Sequence, residues 1–253
     1  MQRNVKSLIG FTIGATDGEI GKVEEFYFDD ETWTVRYLIV KTGGWLLGRK
    51  VLISPTALLM PDWEHHTFPA RLTKDQVKHS PDIDTDKPVS RQHELELYNH
   101  YSWPYEVPVG VGFYGGLGMM GMADSRIPFE EQIAAQQPQQ HTGDPHLRST
   151  KEVKGYTLHA VDGEIGEVED FIVDDTNWTI RFLVVDTGKW LPGKKVLIAP
   201  TWITKIQWET STVNIDLNVA TVKNSPEYDP DKPLPDTYER HLYIYYGRTI
   251  KED

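Results

Sequence analysis

Apolar side chains return at every second position along much of this chain, as in Trp33, Val35, Tyr37 and Ile39, interleaved with Thr34, Arg36, Leu38 and Val40. A period of two, filled with β-branched and aromatic residues, predicts strands. Asp17-Gly18 and Asp162-Gly163 lie between short apolar runs and supply the positive φ that a tight hairpin turn requires. Asp29-Asp30-Glu31-Thr32 and Asp174-Asp175-Thr176-Asn177 read as longer turns. Further strands are expected near Lys50–Ser54, Leu58–Glu64 and Thr67–Leu72, with matching ones later in the chain, about six short strands per half. Thr73 and Asn218 are positioned to cap short helices carrying Val77 and Val222. The prolines of Ser80–Pro88 and Ser225–Pro233 enforce extended chain. Beyond them, Leu97, Tyr98 and Tyr101, and likewise Leu242, Tyr243 and Tyr246, have helical spacing within Ser90–Tyr101 and Pro235–Tyr246. Six antiparallel strands left open would expose two raw edges, so closure is expected. The predicted fold is mainly β: two small six-stranded antiparallel β-barrels, each followed by short helices.

The halves are copies. Residues 17–55, DGEIGKVEEFYFDDETWTVRYLIVKTGGWLLGRKVLISP, recur without a gap 145 positions later as DGEIGEVEDFIVDDTNWTIRFLVVDTGKWLPGKKVLIAP. They are identical at about two-thirds of positions, which is duplication. The same offset pairs Gly10 with Gly155, Trp63 with Trp208 and Ser80-Pro81 with Ser225-Pro226. We therefore expect a first domain over 1–102, a linker over 103–149 and a second domain over 150–253, with two modest cores. The linker opens rich in Gly, Pro and Met, including Met119, Met120 and Met122, and turns polar after Asp124.

The segments DGEIGKVEEFYFDD…WTVRYLIV and DGEIGEVEDFIVDD…WTIRFLVV resemble the PRC-barrel family. That family takes its name from the cytoplasmic domain of the photosynthetic reaction-centre H subunit, and its fold also forms the C-terminal domain of a ribosome-maturation factor. The resemblance implies barrels that dock onto other proteins and carry no catalytic chemistry, since most members are non-enzymatic. It does not extend to the H subunit's N-terminal membrane helix or to the ribosome factor's RNA-associated domain, so neither photosynthesis nor ribosome assembly is the expected role.

A net charge of −12 repels phosphate backbones, so no nucleic-acid partner is expected. Cysteine is absent, which excludes disulfides and thiolate chemistry and fits a cytoplasmic location. The sequence shows no export signal. Trp103–Ala123 is the least charged long segment, but its prolines and glycines and Glu106 make it a poor membrane helix, so no transmembrane segment is expected; peripheral membrane contact stays open.

Residues identical in both copies most simply serve the shared fold. The repeated glycines, among them Gly18, Gly21, Gly163 and Gly166, have the spacing of turns and strand ends. No phosphate-binding loop is read: GxxxxGK[ST] does not occur, and the GxGxxG spacings within Gly110–Gly121 fall in the Gly/Pro-rich linker. The acidic pairs Asp29-Asp30 and Asp174-Asp175 suit turn chemistry better than acid/base catalysis, because neighbouring strand side chains diverge. Asp82, Asp84 and Asp86, echoed by Glu227, Asp229 and Asp231, form acidic ladders without the glycine and distal glutamate of a calcium loop. Asp84, Asp86, Asp229 and Asp231 are thus weak metal candidates, and a calcium- or small-ligand-binding module is the alternative reading. His65-His66 have Thr210-Ser211 as counterparts and read as surface residues. No cofactor is expected. The apolar tips Trp45, Leu46, Leu47 and Trp190, Leu191, together with Tyr243 and Tyr246, are candidate contacts between barrels or with a protein partner. The expectation is a non-catalytic adaptor whose barrels form a pseudo-dimer within the chain and which can assemble further as a homo-oligomer.

Overall fold

The alternating segments form two β-sheets in the computed structural model, which describes residues 1–81, 91–103, 146–188, 194–232 and 234–249. In the first repeat the described elements are β1 (Gln2–Asn4), α1 (Val5–Leu8), β2 (Thr12–Ala15), β3 (Gly18–Asp29), β4 (Val35–Thr42), β5 (Lys50–Ile53), β6 (Thr67–Pro69), α2 (Lys74–Lys78) and α3 (Arg91–Tyr101). In the second they are β7 (Leu147–Ser149), α4 (Thr150–Val153), β8 (Thr157–Ala160), β9 (Gly163–Asp174), β10 (Ile180–Asp186), β11 (Lys195–Ile198), β12 (Ile203–Gln207), β13 (Thr212–Ile215), α5 (Val219–Lys223) and α6 (Asp236–Tyr245). The fold is mainly β with few, short helices.

Local chemistry places the hairpins where the pattern predicts them. Ala15 faces Gly18 and Ala160 faces Gly163, leaving Thr16-Asp17 and Val161-Asp162 as the tips. Gly18 takes φ +135° and Gly163 φ +158°, backbone that an L side chain resists. Each tip aspartate also holds a helix start, Asp17 Oδ1 accepting from Lys74 N at 2.8 Å and Asp162 Oδ1 from Val219 N at 2.7 Å. Thr73 caps α2 in a capping box with Gln76, whereas Asn218 makes no side-chain cap on α5. Gly21 and Gly166 answer a different demand: a Cβ there would lie 2.1 Å from the Lys41 carbonyl oxygen and 2.0 Å from that of Asp186. Only glycine lets β3 and β9 approach their neighbours so closely.

Strand order departs from the expected all-antiparallel barrel in one repeated respect. The ladders run β5-β4-β3-β2-β6 and β11-β10-β9-β8-β13-β12, and within them β2 lies parallel to β6 and β8 parallel to β13. An unbroken series of hairpins would have made these pairs antiparallel. The 3-10 turns Pro55–Ala57 and Pro200–Trp202 pass the chain onward without reversing it, so the later strand returns with the opposite parity. Among the described residues no ladder closes either sheet; the end strands β11 and β12 meet only through the Pro200–Trp202 corner. The strand expected over Leu58–Glu64 is reduced to isolated bridges, Leu58 with Ala70 and Asp62 with Thr67. Pro61 stands where the second repeat has Ile206 within β12, and it removes a ladder donor.

The opening strand of each repeat joins the other repeat's sheet. Gln2, Arg3 and Asn4 pair with Asp174, Val173 and Ile172 of β9. Leu147, Arg148 and Ser149, their equivalents, pair with Asp29, Phe28 and Tyr27 of β3. Where the repeats meet, Thr34 bridges its own counterpart Thr179, flanked by Val35 N to Trp178 O at 2.8 Å and Ile180 N to Trp33 O at 2.7 Å. A residue paired with its own equivalent marks a pseudo-two-fold axis. Trp178 lies against Phe26 and Phe68 of the first repeat, with ring centroids 6.1 and 5.7 Å apart. The two separate cores expected from composition are therefore one continuous buried cluster drawn from both repeats.

Candidate functional site

The acidic turns are where the repeats are fastened together. The first aspartate of each pair closes its own turn: Asp29 Oδ1 accepts from Glu31 N at 3.0 Å and Thr32 N at 2.8 Å, and Asp174 Oδ1 accepts from Thr176 N at 3.0 Å. The second aspartate reaches across to the exchanged strand. Asp30 binds Arg148 Nε at 2.9 Å and His146 Nδ1 at 3.0 Å, while Asp175 binds Arg3 Nε at 3.3 Å. Each guanidinium then lies over a tryptophan of its own repeat, Arg3 over Trp63 at 3.9 Å and Arg148 over Trp208 at 3.8 Å. Aspartate from one repeat and tryptophan from the other thus hold a planar cation between them.

The far end of each exchanged strand is anchored by another carboxylate. Both oxygens of Asp170 accept from Lys6 N at 3.2 Å, and Lys154 Nζ lies 3.4 Å away. Burial pushes the Asp170 pKa up, with Lys154 pulling against it. Its equivalent, Glu25, accepts from the Ser149 hydroxyl.

A third symmetric pair links sheet to helix. Glu94 of α3 is 0% exposed and binds Arg36 Nη2 at 2.7 Å. Glu239 of α6 binds Arg181 at 2.7 Å. The neighbouring donor differs between copies: Tyr37 donates to Glu94 at 3.0 Å, and Gln2 of the exchanged strand donates to Glu239 at 2.8 Å. The second repeat has Phe182 where the first has Tyr37 and Leu147 where the first has Gln2, so the donor beside the arginine comes from a different strand in each copy. Burial, reinforced by the Glu94 charge, holds the Tyr37 hydroxyl far above the ordinary phenol range. None of Arg36, Glu94, Arg181 or Glu239 stood out in the sequence reading; their identity at the 145-residue offset was the available signal.

Two clefts flank the axis. One, of about 780 Å³, is lined by Arg36, Thr56, Arg71 and Tyr98 with Asn177 and Trp178 of the other repeat; its pseudo-symmetric mate, about 580 Å³, is lined by Arg181, Thr201 and Tyr243 with Trp33. Arg36 and Arg181 are held by Glu94 and Glu239, and Asp29 and Asp175 by turn amides and by arginine, while Arg71 and Arg248 add further cations to the walls. The remaining surface offers hydroxyls, aromatic faces and apolar edges, which suit recognition rather than proton transfer.

The family model of the PRC-barrel domain matches residues 2–67 and 148–227, each match starting on an exchanged strand. The chain belongs to the PRC-barrel family. No curated protein matches it significantly. Within this tandem PRC-barrel chain the sequence-predicted residues are dispersed. Trp45 turns back onto its own repeat, donating Nε1 to the Ile20 carbonyl at 2.8 Å beneath Lys74, whose Nζ lies 4.6 Å from the ring centroid. Leu46 is half-buried, and Leu47, at φ +56°, is 97% exposed. Trp190 and Leu191 lie outside the described residues, as do Asp84, Asp86 and linker residues 104–145. Tyr243 and Tyr246 are buried against Trp202, with centroids 5.2 and 4.6 Å from it. Asp229 accepts from Asp231 N at 3.0 Å through Oδ1 and pairs with Lys232 at 2.8 Å through Oδ2, so a cation there would have to displace the lysine. His65 is an exposed partner of Asp62. Among the described residues no helix is long and apolar enough to cross a membrane.

Proposed function

We propose that this PRC-barrel chain is a non-catalytic protein-interaction module, in which the two repeats act as one rigid body. The observation carrying this reading is that the charged residues converging at the repeat junction pair with one another, Asp30 with Arg148, Asp175 with Arg3, Arg36 with Glu94 and Arg181 with Glu239. Groups committed in this way cannot lose a partner without leaving a charge uncompensated, which leaves recognition to the exterior. Among the described residues the Leu47 tip is the most exposed large apolar point on that exterior, presented on a turn anchored by Trp45. The absence of cysteine supports a cytoplasmic setting for the module.

A photo-crosslinking amino acid at Leu47 tests the reading in cells. It should give a discrete protein adduct that an equivalent probe on the exposed Thr210 does not. Identical, diffuse labelling from both positions would remove the assignment.

A further inference from the structure

Three lysines stand in one row across the first sheet. Lys22 of β3 is directly opposite Lys41 of β4, and Lys41 is directly opposite Lys50 of β5. Like charges facing each other across adjacent strands repel. One carboxylate answers them: Glu24 lies 3.7 Å from Lys41 and 3.4 Å from Lys50. Lys22 is exposed and makes no ion pair among the described residues.

The same row of the second sheet carries the opposite sign. Glu167 of β9 faces Asp186 of β10, and Asp186 faces Lys195 of β11. Lys195 is neutralised by Glu169 at 2.5 Å, and Asp186 also accepts from Gly188 N at 2.8 Å. Glu167 is exposed without an ion pair among the described residues. Duplication placed both rows on the same backbone ladder, so the spacing of the positive charges matches that of the negative ones. Two changes at the 145-residue offset, Lys22 against Glu167 and Lys41 against Asp186, invert the polarity.

These rows cannot meet within one molecule. Thr34 and Thr179 lie on the axis, and Lys41 and Asp186 lie seven strand positions beyond them, about 23 Å away on each side at roughly 3.3 Å per residue. They lie on opposite sides of the axis.

We infer that the lysine row of one chain docks on the Glu167–Asp186 row of a second copy. The inference rests on the reading of the chain as an interaction module and names a partner for one of its faces. Because the two surfaces differ, the contact is head-to-tail and propagates as an open string of chains. The overall charge of −12 opposes nucleic acid and anionic membranes as occupants, whereas the acidic row supplies a matched local partner. Contact through a few exposed charges is weak and sensitive to salt.

Sedimentation of the intact chain tests it. In low salt the weight-average mass should climb with concentration to at least twice that of the monomer, and it should return to the monomer value near about 1 M salt, where the screening length falls to about 3 Å. Lys22→Glu/Lys41→Asp and Glu167→Lys/Asp186→Lys, each checked for native circular dichroism, should remain monomeric alone and associate when mixed. A wild-type mass that stays flat in low salt overturns the inference, as does association that both variants retain. If the flat mass accompanies a discrete foreign adduct at Leu47, self-docking is lost and the interaction-module reading stands.

Discussion

Asp30 and Asp175 show what a residue's neighbours in sequence conceal. Turn chemistry was the expectation for both acidic pairs, and it describes Asp29 and Asp174. The second member of each pair instead binds an arginine from a distant part of the chain, visible only once β1 and β7 are placed. Replacing Arg148 removes a charge-assisted hydrogen bond to Asp30 and the stacking on Trp208. Arg148→Ala should lower stability by about 2–3 kcal/mol in denaturant titration. Arg148→Lys should recover little of that, because an ammonium offers neither the plane nor the fork. Arg3→Ala should cost less, since Arg3 is more exposed and its bond is longer. A fully silent Arg148→Ala would mean that the clamp does not hold the strand.

The hairpins, the capped α2 and the positions of α3 and α6 were legible because each depends on residues close together in the chain. Exchange of β1 and β7 was not. A three-residue strand carries no mark of which sheet receives it, and two near-identical repeats offer the same ladder twice. The parallel pairs were hidden for a related reason, since one non-reversing corner at Pro55 or Pro200 changes the parity of every later strand. The cysteine-free chain gives a clean test of the exchange. Gln2 and Asp174 are direct cross-strand partners, with a Cα separation of about 4.5–5.5 Å that suits a disulfide. Gln2→Cys/Asp174→Cys should oxidise within single chains and run as a compact monomer on non-reducing gels. Free thiols, or covalent dimers alone, would contradict pairing within the chain.

At the scale of the molecule, two units that share strands and one buried cluster should not unfold separately. Calorimetry should show a single transition whose van't Hoff and calorimetric enthalpies agree, and Trp178→Ala should shift the whole of it rather than one part. Two resolved transitions would show that each repeat keeps an independent core. The sequence alone determined that there are two copies, that they are β-rich and PRC-barrel-like, and where their tight turns fall, because duplication, side-chain period and turn chemistry are local properties. Tertiary structure decided that the copies are interlocked, that Glu94 and Arg36 meet in the interior, and that two equivalent faces of opposite charge lie on opposite sides of the axis. Those outcomes depend on which strands lie side by side after the chain has travelled more than a hundred residues, and the period of two is the same whichever neighbour a strand finds.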